Sequence, residues 1–427
     1  MSATDHAHPD AGAAVASVIS NVRYYDSADR MLKRADIEIR DGEIVGIARP
    51  GTLSAFEPVD GSAFVCLPGL VNASLSAGAV RRDDSAASTA ANAGERRVAQ
   101  LGDLLLEAVS NGVTTVGMFG FRVEESLAAI TRVGVRASLH REYADLWLGP
   151  EPGPVGWDTA ECLRDYERTA RRFDGARLAI QPAVGSQLAA STHLLTGLHA
   201  LARRIRRRFV VRVDGGAPWS DAFKDAYGCT GLGLLRSLDV LDENTLVVPA
   251  APMSFADREH LRHSPSHVVY PAGEPAEQPG QRGDIARAGI ARRTQAALGW
   301  GRGAPPGLIG AEGRARNELA GDVIDLLTWK GAQALTFSGT GTLAVGKRAD
   351  LLLYDGDLIA DSGASAAVCT AILDTVCRHR PRGVLIDGRW VVAGPFHDRA
   401  KSPPASRAAL APQPLRDAGH ASPRQPS

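Results

Sequence analysis

The sequence predicts an α/β barrel of eight parallel strands, preceded and followed by short β segments, and three observations carry that expectation. Eight β-like runs recur through the middle of the chain, at 70–74, 112–116, 135–140, 178–183, 209–213, 245–250, 267–271 and 295–300. Between them, apolar residues repeat at helical spacing, as in Ala99, Leu101, Leu104, Leu105 and Ala108, and again in Leu194, Leu195, Leu198, Leu201 and Ala202. Strands alternating with helices argue for a parallel sheet, and eight of them for a barrel. At 427 residues, the chain is long enough for one such barrel and a smaller domain beside it.

Residues 1–14 are small and polar and are expected to be a disordered tail. Short alternating segments follow: Val18 to Val22, Ala35 to Ile39 and Ile44 to Ile47, with Asp41-Gly42 as a two-residue hairpin signal. Such a meander buries little by itself and needs a partner sheet. Matching segments lie near the other end of the chain, in Leu351-Leu352-Leu353-Tyr354-Asp355 and in Val384 to Val392, the second turning at Asp387-Gly388. Val323, Ile324, Leu326 and Leu327, with Ala332 and Leu335, form a helical pattern just before them. From Lys401 onward the chain is rich in Pro, Ala and Ser, as in a floppy tail.

Composition narrows the function classes. Lys+Arg and Asp+Glu both total 48, so the net charge is zero and nothing points to nucleic acid or an anionic membrane. A hydrophobic share of 44% with 45 Gly and 25 Pro suits a soluble, loop-rich, enzyme-like fold. No run approaches the roughly eighteen apolar residues of a membrane span. The first twenty residues carry Asp5, His6 and Asp10 and lack an apolar core, so no signal peptide is expected. The five cysteines are scattered without a CxxC pair, although Cys369 and Cys377 are candidates for proximity. Together these features lead to an expectation of a cytoplasmic protein.

The stretch Pro68-Gly69-Leu70-Val71-Asn72-Ala73-Ser74-Leu75-Ser76 resembles the first barrel strand of the amidohydrolase superfamily, in its cytosine deaminase and chlorohydrolase branch. The family pattern there is Pro-Gly-Leu-Val-Asn-Ala-His-Thr-His. Gly341-Thr342-Leu343-Ala344-Val345-Gly346-Lys347-Arg348-Ala349-Asp350-Leu351 and Val384-Leu385-Ile386-Asp387-Gly388 resemble that family's closing segments. The resemblance covers roughly residues 15–397. It implies a distorted (β/α)8 TIM-type barrel over 66–339, with a composite β-sandwich from 15–65 and 340–397 and tails at 1–14 and 398–427.

The resemblance also implies a divalent metal held by the first-strand histidines, a fifth-strand His, a sixth-strand His and an eighth-strand Asp. Here those five positions read Ser74, Ser76, Arg212, Pro249 and Gly301. Gly215 stands where the family keeps an acid/base Glu, and Pro182-Ala183 where it keeps Pro-His. Hydroxyls are poor zinc ligands and a guanidinium repels a cation. The expectation is therefore no metal and no other cofactor.

Other ionisable groups fall at the ends of the predicted strands. His140 and Glu142 are candidates for general acid/base chemistry. Arg212, Arg141 and Asp214 are candidates for holding a small-molecule ligand of anionic character. In a competing reading, Arg212 pairs with Glu142 or Asp214 and simply fills the vacated metal site. Ser74 and Ser76 lack a neighbouring base and read as small filler. The basic run from Arg203 to Arg208 reads as a solvated helix end, and His260, His263 and His267 as surface residues around a helix and loop broken by Pro265.

Three function classes follow. The first is a metal-independent enzyme or ligand-binding pseudoenzyme acting on a small metabolite. The second is a hydrolase of carbon–nitrogen bonds, as the family implies. The third is a non-catalytic scaffold for an active partner, with homo- or hetero-oligomeric assembly left open.

Overall fold

The structure, a computed structural model, describes residues 17–53, 58–75, 90–120, 122–149, 153, 156–213, 219–250, 253–272, 295–305, 313–361 and 363–392. Five strands come first: β1 (Ser17–Asp26), β2 (Met31–Arg40), β3 (Glu43–Ala48), β4 (Val59–Asp60) and β5 (Phe64–Pro68). The barrel follows, with β6 (Leu70–Asn72), β7 (Val113–Gly120), β8 (Arg136–Glu142), β9 (Leu178–Val184), β10 (Phe209–Val213), β11 (Thr245–Pro249), β12 (His267–Ala272) and β13 (Ala296–Trp300). Three strands close the chain: β14 (Leu351–Asp355), β15 (Gly383–Ile386) and β16 (Arg389–Val392). The helices are α1 (Ala90–Ser110), α2 (Val123–Val133), α3 (Thr159–Phe173), α4 (Thr192–Arg204), α5 (Trp219–Tyr227), α6 (Gly231–Ser237) and α7 (Phe255–Arg262), then α8 (Gly313–Leu327), α9 (Trp329–Ala334) and α10 (Ser365–Arg378).

Both chain ends build one sheet, in the order β16-β15-β14-β5-β1-β2-β3, with β4 added alongside β1. Its hairpins turn where the sequence places Asp-Gly. Asp41 and Gly42 have φ of 53° and 75°, and Asp387 and Gly388 have 49° and 68°, the left-handed pair that a two-residue turn of this type requires. Ile19, Val22, Ile37, Ile39 and Ile44 from the N-terminal strands pack there with Leu351, Leu353 and Leu385 from the C-terminal ones. The N-terminal meander finds its cover in this way.

The eight middle strands pair in parallel from β6 through β13, and every predicted run overlaps one of them. The second run extends to Gly120, past Gly117, which reads as a breaker in sequence. A Cβ on Gly117 would strike the Ala73 carbonyl oxygen and come within 2.8 Å of Leu335 Cδ2, so glycine lets two chains approach there. Alternation sends one set of side chains inward and the other toward the helices. Val71, Ala73, Ala183, Val210, Leu246, Val248, Val269 and Ala297 form the inner cluster, plugged from below by Ala332, Ala334 and Leu335 around the short α9. Tyr166, Leu198, Leu235 and Val211 belong to the larger cluster between strands and helices.

The barrel seam is closed differently from its other strand junctions. Ala73 donates its backbone N–H to Leu298 O at 2.8 Å. The Asn72 side chain then takes the place of a ladder, donating to Trp300 O at 2.9 Å and accepting from Trp300 N at 3.1 Å.

A buried charge network ties the base of the barrel to the two-ended sheet. Arg136, the first residue of β8, is 1% exposed. Its guanidinium donates to both oxygens of Asp350 at 2.9 and 3.0 Å, to Asp387 at 2.6 Å and to Ala176 O at 2.9 Å. Asp387 accepts a second bond from Arg348 at 2.6 Å, and its own N–H donates to Asp350 at 2.8 Å. Each guanidinium nitrogen of Arg136 and each carboxylate oxygen of Asp350 has a partner, the condition under which burying charge is tolerable.

Two local expectations need correcting. His267 is not a surface residue but opens β12 and is 3% exposed. Cys369 and Cys377 share α10, where eight residues of helical rise separate them by about 12 Å, beyond disulfide reach; all five thiols are free.

Arg136→Met removes the cation between two carboxylates that stay buried. It should lower the unfolding free energy by about 3–5 kcal/mol in urea titrations. A loss below about 1 kcal/mol would mean that the knot contributes specificity and little stability.

Candidate functional site

In a barrel of this kind, the pocket forms at the C-terminal ends of the strands. On β7 the inward set is Thr115, Gly117 and Phe119; on β8 it is Arg136, Ser138 and His140. The register places Gly117 beside Ser138 and Phe119 beside His140. His140 is completely buried, and neither of its ring nitrogens has a hydrogen-bond partner among the described residues. Its ring meets Phe119 edge-to-face, with centroids 5.0 Å apart and planes at 87°. On the same phenyl ring sits the Arg212 guanidinium, its Cζ 4.7 Å from the centroid. Phe119 therefore holds an imidazole and a cation in one cluster.

Arg212 lies on β10, half-buried, between the inner residue Val210 and the end of the strand. It makes no ion pair with any described carboxylate. The expected Arg212–Glu142 pair is absent, and Asp214 and Gly215 lie outside the described residues. Burial, and then the nearby Arg212 charge, pull the His140 pKa down to about 3. The imidazole is thus neutral at pH 7, with one donor nitrogen and one acceptor nitrogen. Beneath it, Ser138 Oγ and Thr115 Oγ1 are also buried without a partner. Such clusters of unmatched polar atoms are uncommon in folded interiors.

The other sequence candidates disperse. His140 and Glu142 share a strand face, yet no hydrogen bond joins them, so the expected acid/base pair is not formed. The Glu142 carboxylate lies against the Cα of Gly185, at the end of β9, in space that any larger residue there would occupy. Arg141 is not a pocket residue. Its parity on β8 is opposite to that of His140, so it points into the helical layer. There it donates to Asp165 at 3.2 Å and stacks 5.1 Å from the Tyr143 ring centre and 5.5 Å from that of Trp157. Asp165 also accepts from the Tyr143 hydroxyl at 3.0 Å and from Arg168 at 2.6 Å, which accounts for its lowered pKa against the opposing effect of burial.

At the positions where the resemblance implies metal ligands, Ser74 is half-buried at the seam, so near Gly299 that a Cβ there would lie 2.7 Å from the serine Cβ. Pro249 is buried at the end of β11, and Gly301 follows β13; Ser76 lies outside the described residues. The four described positions thus present one hydroxyl, one cation, a ring without a donor atom and a bare backbone. Among the described residues, no three His, Cys, Asp or Glu side chains come together as a metal would need.

Sequence reasoning missed Phe119 and two tryptophans. Trp147, in the loop after β8, meets Trp219, the first residue of α5, at 5.7 Å and 70°. Both pack against the main core cluster, one following β8 and the other opening α5 after β10. Carrying the period-two alternation of β7 beyond Gly117 would have found Phe119; no local signal pairs Trp147 with Trp219.

The depressed His140 pKa makes a directional prediction. The folded value of about 3 lies below the ordinary 6.5, so the unfolded chain binds the extra proton between these values. Stability relative to His140→Phe should be constant above pH 6.5 and fall by about 1.4 kcal/mol per pH unit on acidification through that window. Urea unfolding of both proteins at pH 7, 6 and 5 measures it; parallel curves would place His140 in contact with water.

No family model matches the sequence. A 5'-deoxyadenosine deaminase from Methanosarcina acetivorans is 26% identical over 355 residues, spanning 76% of this chain and 80% of that protein. Among solved structures, an adenosine deaminase from Xanthomonas campestris with bound zinc superposes with a TM-score of 0.69 at 15% identity, covering 90% of this chain and 98% of its own. A zinc-complexed atrazine chlorohydrolase from Arthrobacter aurescens gives 0.66 at 15% identity, covering 88% and 95%. The chain is thus similar in sequence to a deaminase over most of both lengths, and its near-closed barrel beside a sheet drawn from both chain ends is the fold of the zinc-containing deaminase and chlorohydrolase structures.

Proposed function

We propose that this amidohydrolase-like chain binds a small anionic metabolite through Arg212 at the barrel mouth, without the metal-hydroxide chemistry of the family it resembles. One observation carries the reading: a half-buried guanidinium is held over Phe119 and faces no described carboxylate. A cation partly withdrawn from water is costly unless an anion reaches it, and a planar guanidinium suits a carboxylate or phosphate. The described donors at the implied metal positions do not fit zinc or iron, and Arg212 itself would repel a divalent ion there. In this reading Arg212 fixes the anionic end, and His140 faces the ligand as a neutral imidazole. Any proton transfer in the pocket would then use His140, since Glu142 is turned toward Gly185.

A second reading, hydrolysis of a carbon–nitrogen bond, is favoured by the deaminase relative at 26% identity. The two separate cleanly. Metal analysis of the purified protein should find less than stoichiometric zinc, iron and manganese, and thermal-shift assays with small carboxylates and phosphate should raise the melting temperature. Arg212→Ala should abolish that rise while leaving the unliganded protein folded. One bound metal per chain, retained through dialysis, would restore the hydrolase reading. An unchanged ligand response in Arg212→Ala would leave the arginine as a filler of the barrel.

A further inference from the structure

The Arg212 reading leaves a second set of groups unexplained. His140 is buried inside the barrel, 0% exposed, and among the described residues both its ring nitrogens are unmatched, as are Ser138 Oγ and Thr115 Oγ1 beneath it on the inward faces of β8 and β7. Phe119, which meets the imidazole at right angles, has no lone pair or polar hydrogen to satisfy them. An unpaired polar atom in an apolar interior carries a desolvation cost, and native proteins keep few of them. The Arg212 Cζ lies 4.7 Å and the imidazole centroid 5.0 Å from the Phe119 ring centre, so the two groups are no more than about 10 Å apart, within the span of one small molecule.

We propose that His140 is the specificity-determining residue of this site, and that the ligand is a small carboxylate carrying a neutral group able to donate and accept hydrogen bonds, such as a lactam, an amide or a hydroxyl. This rests on the Arg212 reading and goes beyond it by fixing the uncharged end of the ligand. The carboxylate pairs with Arg212 at the mouth. The neutral donor–acceptor group enters the barrel beside Phe119 and meets the two imidazole nitrogens, one of which donates and the other accepts. A second charge at that end would be excluded, because the charges at the base of the barrel, Arg136 with Asp350 and Asp387, are already paired with one another. Sites that hydrogen-bond a ligand group reject analogues lacking it far more strongly than apolar pockets reject a missing methylene.

The test uses matched acids on the full chain. Calorimetric titration compares benzoate with 6-hydroxynicotinate, and acetate with glycolate; each pair differs by the neutral donor–acceptor group. The wild type should prefer the hydroxyl or lactam member by about 10- to 100-fold. His140→Phe should bind both members of each pair alike, at the affinity of the plainer acid. His140→Asn, which keeps one donor and one acceptor, should retain part of the preference. Arg212→Ala should bind none of the four. Equal affinities within both pairs in the wild type would overturn the proposal even if the variants failed to fold, as would a preference surviving in His140→Phe. No binding of any of the four acids by the wild type, or full binding by Arg212→Ala, would instead remove the Arg212 reading on which it rests.

Discussion

The buried knot of Arg136, Asp350 and Asp387 sets the phase of everything above it. Arg136 opens β8 and points inward at the base of the barrel, where two carboxylates from the closing segment fix it. A strand pinned at one residue has its whole alternation decided. Ser138 and His140 must then face the interior, and Arg141 must face the helices. A slip by one residue would put Arg141 in the pocket and leave Asp165 without its buried partner. The sheet from the two chain ends thus acts on the pocket at a distance, through strand register.

The inward face of that strand changes character along its length. At the base, charge is fully matched by charge. At the middle, the Ser138 hydroxyl is buried without a partner among the described residues. At the top, a neutral imidazole and an arginine share one aromatic ring. Low dielectric makes each of these arrangements consequential: it strengthens the matched knot and penalises the unmatched groups. The apolar inner cluster of Val210, Leu246, Val248 and Val269 on the opposite wall supplies that low dielectric.

Much of the architecture was legible in the sequence because burial of parallel strands on both faces leaves dense apolar runs, and because Asp-Gly admits the positive φ of a tight hairpin. The length of β7 was not legible, since Gly117 looks like an interruption until the close approach of Ala73 and Leu335 is seen. The failure at Arg141 was avoidable: adjacent residues on a strand cannot both enter one pocket, and His140 already had the inward place. The turning of Glu142 toward Gly185 depends on an absent side chain in another segment, which no local pattern reports. Trp147 and Trp219 meet through tertiary packing across two loops, so their contact was equally silent.

The seam between β6 and β13 has a mechanical consequence. Elsewhere, the barrel hoop is held by runs of backbone hydrogen bonds, which share load and open together. At the seam, one backbone bond and the amide of Asn72 hold the hoop shut among the described residues. A ring with one weak link fluctuates there first. Ser74 lies directly at that link, against Gly299. Local opening would therefore start at the first strand, on the side of the barrel where β6 meets β13.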